Sequence, residues 1–373
     1  MQRLTDWLET HWVAPAYAGW LLAGIGISFF AAATNTMAGW LYAISGMIFA
    51  LLLLAAILPK RSLTQLQVSR EAIAPVTMGD VLTIDIIVHN PTKQPKTLLQ
   101  VQDMLPYVVG KPASTAIETI YPQSDFHWVY ELPTTRRGVY HWHEVQIRTA
   151  TPLGLFWCRC SRNVPATAIV YPTVLPLKSC PLIDKLGQSE NSPLQSLSNR
   201  AQLATEGISR GLRPYRYGDP TRLIHWRTSA RYGEFQVREL EVFTGSQEVT
   251  ICLDSGSKWE ETDFEQAAIA AASLYFYASR CQLNVKLWTA ATGLVWGNQA
   301  VLETLARVSF NEEASAEVPI NTPLIWLTNY PEAIANLPSG SAWVSWGSRL
   351  PNISKFPGIT INSQYPLSTQ LQQ

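Results

Sequence analysis

Charge is what this chain is short of. Only 15% of its 373 residues are Asp, Glu, Lys or Arg, against a usual share of about 25%. The 28 basic and 28 acidic side chains cancel, so the chain lacks the overall positive field that drives non-specific nucleic-acid binding. Cysteine is scarce too. Cys158, Cys160, Cys180, Cys252 and Cys281 are odd in number, and only the first two are close in sequence. That pattern argues against a disulfide framework and agrees with a reducing compartment. A nucleophile elbow, a phosphate-binding glycine loop and a metal-protease helix are all missing. The length allows two or three domains.

The charge deficit is local. Residues 12–59 contain no Asp, Glu, Lys or Arg. Two apolar runs lie there, "YAGWLLAGIGISFFAAA" (17–33) and "AGWLYAISGMIFALLLLAAIL" (38–58), joined by the polar "TNTM". A bilayer core takes about 20 apolar residues as helix. The runs therefore predict a transmembrane hairpin within residues 1–61, with spans over about 17–36 and 38–58. Trp7, Trp12, Trp20 and Trp40 fall where aromatic belts form. Arg3 precedes the hairpin, Lys60 and Arg61 follow it, and the turn is uncharged. Positive-inside bias then predicts both termini and the soluble domains in the cytoplasm. A cleaved signal peptide is the weaker alternative, because the leading region is long and carries Asp6 and Glu9 without a small-residue cleavage site.

From 62 to 175 the chain alternates and is β-branched, as in "DVLTIDIIVHNP", "FHWVYEL", "GVYHWHEVQIRT" and "LGLFWCRCSR". Short strands between Pro/Gly turns predict an antiparallel β-sandwich. His141 and His143 share one strand face, and Cys158 and Cys160 share another. A register placing His143 opposite Cys160 would offer a tetrahedral zinc site; the bland alternative is that all four fill a half-buried sheet.

Residues 176–247 open with a polar connector and then read "GLRPYRYGDPTRLIHWRTSARYGEFQVRELE" (211–241). Asp219-Pro220 is a helix-start pattern. It predicts a helix over 220–231, closed by Gly233, and a strand over 234–242. This stretch resembles the signature of the domain-of-unknown-function 58 family. Arg213, Tyr215, Gly218, Asp219, Arg222, Ile224, Trp226, Ser229, Ala230, Arg231, Val237, Arg238 and Glu239 fall on the pattern. "RRGVY" and "TPLGLF" upstream are similar to two further elements, with Thr151 where Asp is usual and Leu153 where Phe is usual. The resemblance implies a membrane-anchored protein encoded beside a MoxR-type AAA ATPase, and hence a partner or adaptor role. Arginine alternating with carboxylate predicts an ion-pair network at a domain junction. In it Arg216, Arg222, Arg231 and Arg238 pair with Asp219, Glu239 and Glu241, and Trp226 packs the joint.

Residues 248–373 alternate apolar strands ("EVTICLD", "LNVKLWTA", "TPLIWLTN", "SAWVSWG") with the helix "DFEQAAIAAASLYFYASR", which predicts an α/β sheet. The family resemblance implies a von Willebrand factor A-like domain. Such domains often hold a divalent metal on Asp-x-Ser-x-Ser and a later Thr-Asp. Here Gly256 and Lys258 stand where the two serines would, and Asn329 where the second Asp would. Asp254 and Ser257 remain as weak candidates for a degenerate site; no cofactor is otherwise expected. The chain thus reads as an interaction protein rather than an enzyme. The alternative, a membrane-associated hydrolase, would have to draw on Asp219, His225, Ser229 and Cys252, and His225 and Ser229 are one helical turn apart.

Overall fold

The computed structural model describes residues 12–188, 209–215, 221, 224–240, 248–319, 322–330, 332, 334, 337–346 and 356–373. They fall into two compact units, Met1–Pro172 and Thr173–Gln373.

The first unit begins with strand β1 (Ala14–Pro15) and two antiparallel helices, α1 (Tyr17–Thr36) and α2 (Gly39–Thr64). Both are long and apolar enough to cross a membrane. Met37, in the left-handed region at φ 49°, closes α1. The helices meet where Gly26 lies against Ile48 and where Phe30 packs edge-on to Tyr42 and Phe49. Most of their large side chains, such as Leu21, Ile27, Met47 and Leu53, point outward. α2 does not stop at residue 58 as the hydropathy pattern predicts. It continues through Pro59, Lys60 and Arg61, because its last turn has partners of its own. Leu63 and Leu66 are buried in the β core, and the Arg162 guanidinium donates to the Leu63 and Thr64 carbonyls at 3.0 and 3.1 Å. Those carbonyls are among the acceptors a helix end leaves unsatisfied.

The β region holds β2 (Gln67–Arg70), β3 (Val76–Thr77), β4 (Val81–Asn90), β5 (Lys96–Asp103), β6 (Ala113–Ile120), β7 (Ser124–Pro133), β8 (Gly138–Thr149) and β9 (Phe156–Tyr171). One sheet runs β2-β4-β7. The other runs β1-β9-β8-β5-β6, with β3 beside β9. All these pairs are antiparallel except β3 with β9. Period-two alternation sends Leu82, Ile84, Ile86 and Val88 of β4 inward. They meet Val101, Ile117, Val145, Ile147 and Ala168 of the second sheet in one core.

The second unit starts with α3 (Pro181–Gln188), followed by β10 (Ser209–Pro214), α4 (Trp226–Tyr232) and β11 (Gln236–Leu240). A six-stranded sheet follows: β12 (Glu248–Leu253), β13 (Asn284–Thr289), β14 (Gly293–Val295), β15 (Leu324–Thr328), β16 (Ala342–Trp346) and β17 (Gly358–Ile361). Its order is β14-β13-β12-β15-β16-β17. The five longer strands are parallel, and β14 is an antiparallel edge. α5 (Glu261–Arg280), α6 (Asn298–Arg307) and α7 (Leu367–Leu371) contribute to the core on one sheet face, where the alanines of α5 lie over Val249, Ile251 and Leu253. On the opposite face, register partners form a row across five strands: Trp288, Cys252, Trp326, Trp343 and Gly358. Strands this apolar on both faces belong to a buried parallel sheet.

Candidate functional site

The chain order of the sheet reverses at β12: β13 lies on one side of it and β15 on the other. Ligand crevices of open α/β sheets form at the carboxyl ends of the strands at such a switch point. Asp254 follows β12 there, and Thr328 ends β15. Asp254 Oδ2 accepts from Ser257 Oγ at 2.6 Å and from Thr328 Oγ1 at 2.8 Å. The Asp254 carbonyl accepts from Trp259 Nε1 at 2.6 Å. Thr328 Oγ1 in turn accepts from the Tyr330 N–H at 2.9 Å. Ser255 is fully buried and accepts from the Ala290 N–H. The fold therefore brings Asp254 and Ser257 together and adds Thr328, which stands where the threonine of the later Thr-Asp element would. Lys258 is exposed and Asn329 half-buried; neither bonds to Asp254. One carboxylate and two hydroxyls are hard-oxygen donors of the kind magnesium takes, but with a single formal charge. Among the described residues, no three His, Cys, Asp or Glu side chains cluster as metal ligands.

The signature forms a small module. β10 and β11 pair antiparallel, with Gly211 opposite Glu239 and Leu212 opposite Arg238. Ile224 bridges to Val237, and the His225 N–H donates to the Gln236 carbonyl at 2.8 Å. Residues 224–225 are thus held against β11, so no helix runs unbroken over 220–231. The helix begins at Trp226. Its N-cap is His225, whose Nδ1 accepts from the Thr228 N–H at 3.3 Å. Gly233, at φ 74°, closes it as predicted. Arg216, Gly218, Asp219 and Arg222 lie outside the described residues, as does Glu241. Arg213, Arg238 and Glu239 are placed by backbone alone. Arg231 is exposed, with no ion pair to a described residue.

The described residues leave Trp226 open on one side. It is 63% exposed and meets Phe235 edge-on at 6.0 Å, while Phe235 meets Tyr215 at 6.2 Å. Phe235 and Tyr232 are also exposed. Arg227 and Arg231 lie exposed on the same short helix, giving an aromatic edge flanked by cations.

Residues 211–296 match the family model described as "Protein of unknown function DUF58". The matched segment runs from β10 to just past β14, so it includes the module and Asp254 but not Thr328. The "Uncharacterized protein YeaD" of Bacillus subtilis (strain 168) is 23% identical over 203 residues, covering 52% of this chain and 48% of the relative. The chain therefore spans about half the length of the curated relative it matches. Solved structures share little with it. The CARDB domain of a Pyrococcus furiosus protein is 11% identical, covering 28% of this chain and 93% of that domain at a TM-score of 0.20. The beta-glucosidase of Listeria innocua is 11% identical, covering 26% and 16% at a TM-score of 0.16. Scores this low carry no structural argument.

Of the hydrolase candidates, Asp219 lies outside the described residues, while His225, Ser229 and Cys252 are described. Ser229 is buried; its hydroxyl donates to the His225 carbonyl at 3.1 Å, not to the imidazole, and accepts from the Gln236 N–H at 2.8 Å. Thr228 Oγ1 occupies His225 Nδ1 at 2.7 Å. Burial pushes the Cys252 thiol well above its ordinary range, which keeps it a poor nucleophile.

The zinc register is overturned. The turn after β8 closes on the pair Thr149–Cys158, which sets Ile147 opposite Cys160. His143 lies at a bulge four residues from that pair, and His141 pairs with Thr167 Oγ1 at 3.0 Å. Hairpin length, not ligand chemistry, sets these partners.

The first unit holds a polar cluster with no sequence motif. Asp103 Oδ1 meets Arg70 at 2.7 Å, with the two side chains 0% and 1% exposed. Asp103 Oδ2 accepts from Tyr130 at 2.6 Å. Trp142 Nε1 donates to both oxygens, at 3.1 and 3.2 Å, and the Arg70 guanidinium lies over the Trp142 ring. Burial and then the Asp103 hydrogen bond push the Tyr130 phenol upward. Four strands contribute one residue each, so no local pattern betrays the cluster.

Proposed function

We propose that this chain is a membrane-anchored interaction protein. The apolar hairpin holds it in a membrane, with both termini and the soluble units in the cytoplasm. The C-terminal sheet acts as a von Willebrand factor A-like domain, and the partner is a MoxR-type AAA ATPase working in assembly or remodelling of envelope or protein complexes. The observation that carries the interaction reading is the exposed aromatic edge of the DUF58 segment, Trp226, Phe235 and Tyr232 beside Arg227 and Arg231. Trp, Tyr and Arg are the side chains most enriched among those that carry interface energy. The parallel strand order that reverses at β12, with Asp254 and Thr328 at that switch point, supports the A-like reading. The class of ATPase rests on the family resemblance.

No cofactor and no nucleic acid belong to this reading. If a hard cation binds, Asp254, Ser257 and Thr328 are the residues that would hold it, leaving a position for a partner carboxylate. The test is affinity purification of the full chain from detergent extract, with and without ATP, followed by identification of co-purifying proteins. An AAA ATPase should be enriched; its absence under both conditions ends the reading.

A further inference from the structure

Both ends of the apolar hairpin are built into the β region of the first unit, and this fixes what else of that unit meets lipid. β1 pairs with β9 through Ala14–Trp157 and Pro15–Phe156. The Ala16 N–H donates to the Leu155 carbonyl at 2.8 Å. That carbonyl also lies against Gly19, where an added Cβ would fall 2.3 Å from it. At the other end, Leu63 and Leu66 are inside the β core and Arg162 holds the last carbonyls of α2. With anchors on both helices, the turn between β8 and β9 cannot swing away from the start of α1.

The length of α1 sets the depth. Its 20 residues span about 30 Å, which only just matches a hydrocarbon core. Gly19 is the third residue of α1, so Leu155 stands at the boundary of that core. Pro152, Leu153 and Gly154 form the exposed tip of the turn, with Leu153 42% exposed. Residues 145–162 contain no carboxylate but do contain Arg148, Arg159 and Arg162. The Arg148 guanidinium lies 4.1 Å over the Trp157 ring, and Trp12, Tyr17 and Trp20 are exposed close by in sequence to Gly19. Aromatic rings and cations are the side chains that settle at a bilayer interface.

We infer that the β8–β9 turn, residues 150–155, is a third lipid-contacting element. It seats in the interfacial layer of the leaflet through which the helices enter, with Leu153 against the acyl boundary. The inference rests on the reading of α1 and α2 as membrane spans. It would make the β region a rigid mount on the membrane surface rather than a domain on a tether.

An environment-sensitive fluorescent residue placed at position 153 of the full chain tests this in nanodiscs with and without doxyl-labelled lipid. Position 53, exposed in the middle of α2, and position 107, an exposed tyrosine after the far end of β5, serve as references. Emission at 153 should be quenched, more strongly by a label high on the acyl chain than by a deep one. Emission at 53 should be quenched as well, and emission at 107 left unchanged. Quenching at 53 with 153 behaving like 107 would overturn the turn's role and leave the spans standing. No quenching at 53 would remove the spans, and the inference with them.

Discussion

Asp103 takes hydrogen bonds from Arg70, Tyr130 and Trp142 with no exposed surface of its own. A buried ion pair need not add net stability, but removing one partner leaves a charge without compensation. Asp103→Asn should therefore cost about 3–5 kcal/mol, read as a lower denaturant midpoint of the detergent-solubilised chain. Replacing Arg70 and Asp103 together by apolar residues should cost less than the single change. Tyr277 supplies a pH-dependent contribution in the second unit. Burial, and then its 2.8 Å bond to Asp184, push its phenol up to about 12. The folded chain thus keeps a proton that the unfolded chain releases near pH ~10. The stability from this group is fully present below pH ~10 and is lost as pH rises towards 12. Tyr277→Phe should flatten that alkaline loss in a series of unfolding curves. At this scale the sequence is least legible. Arg70, Asp103, Tyr130 and Trp142 meet only because four strands come together, whereas Arg213 to Glu239 advertise themselves by density. Arg231 and Trp226 are exposed, so their truncation is expected to weaken binding rather than stability.

Individual elements are governed by what they pack against. Gly358 sits under the Trp343 ring, and a Cβ there would lie 2.0 Å from it. Trp343 is itself 6% exposed, with its Nε1–H donated to the Phe356 carbonyl at 3.0 Å, so the ring has little room to yield. Gly358→Ala should lower stability by at least the ~1–3 kcal/mol typical of overpacking, measured by thermal unfolding, with β17 the first strand to lose amide protection. Strands β4, β7, β8, β12, β13, β15 and β16 and helices α1 and α5 follow from period two, apolar run length and alanine content and were legible, whereas β5, β6, β10, β14, β17 and α6 carry too weak a pattern to be named. Where the elements end was not. α2 passes residue 58 because Leu63, Leu66 and Arg162 hold it, and α4 begins at Trp226 because residues 224–225 are tied to β11. Each boundary is decided by a residue far away in the chain or on the facing strand.

For the whole molecule, the interaction reading makes a sharp demand on the exposed edge of the signature module. Trp226→Ala with Arg231→Ala removes exposed side chains only. The double variant should keep the midpoint of unfolding within the ~0.5 kcal/mol expected of surface changes, yet lose most of the co-purifying ATPase. Loss of both together would mean the edge is structural. The sequence by itself determined the hairpin, the two kinds of sheet and the position of the signature, because hydrophobic period and run length are properties of neighbouring residues. Tertiary structure alone decided which polar groups meet. It set Asp254 beside Thr328 at 74 residues' separation, buried Asp103 against Arg70, parted His143 from Cys160 and seated the β8–β9 turn on Gly19. Such meetings depend on strand order and register, which hairpin lengths and core packing set over the whole fold.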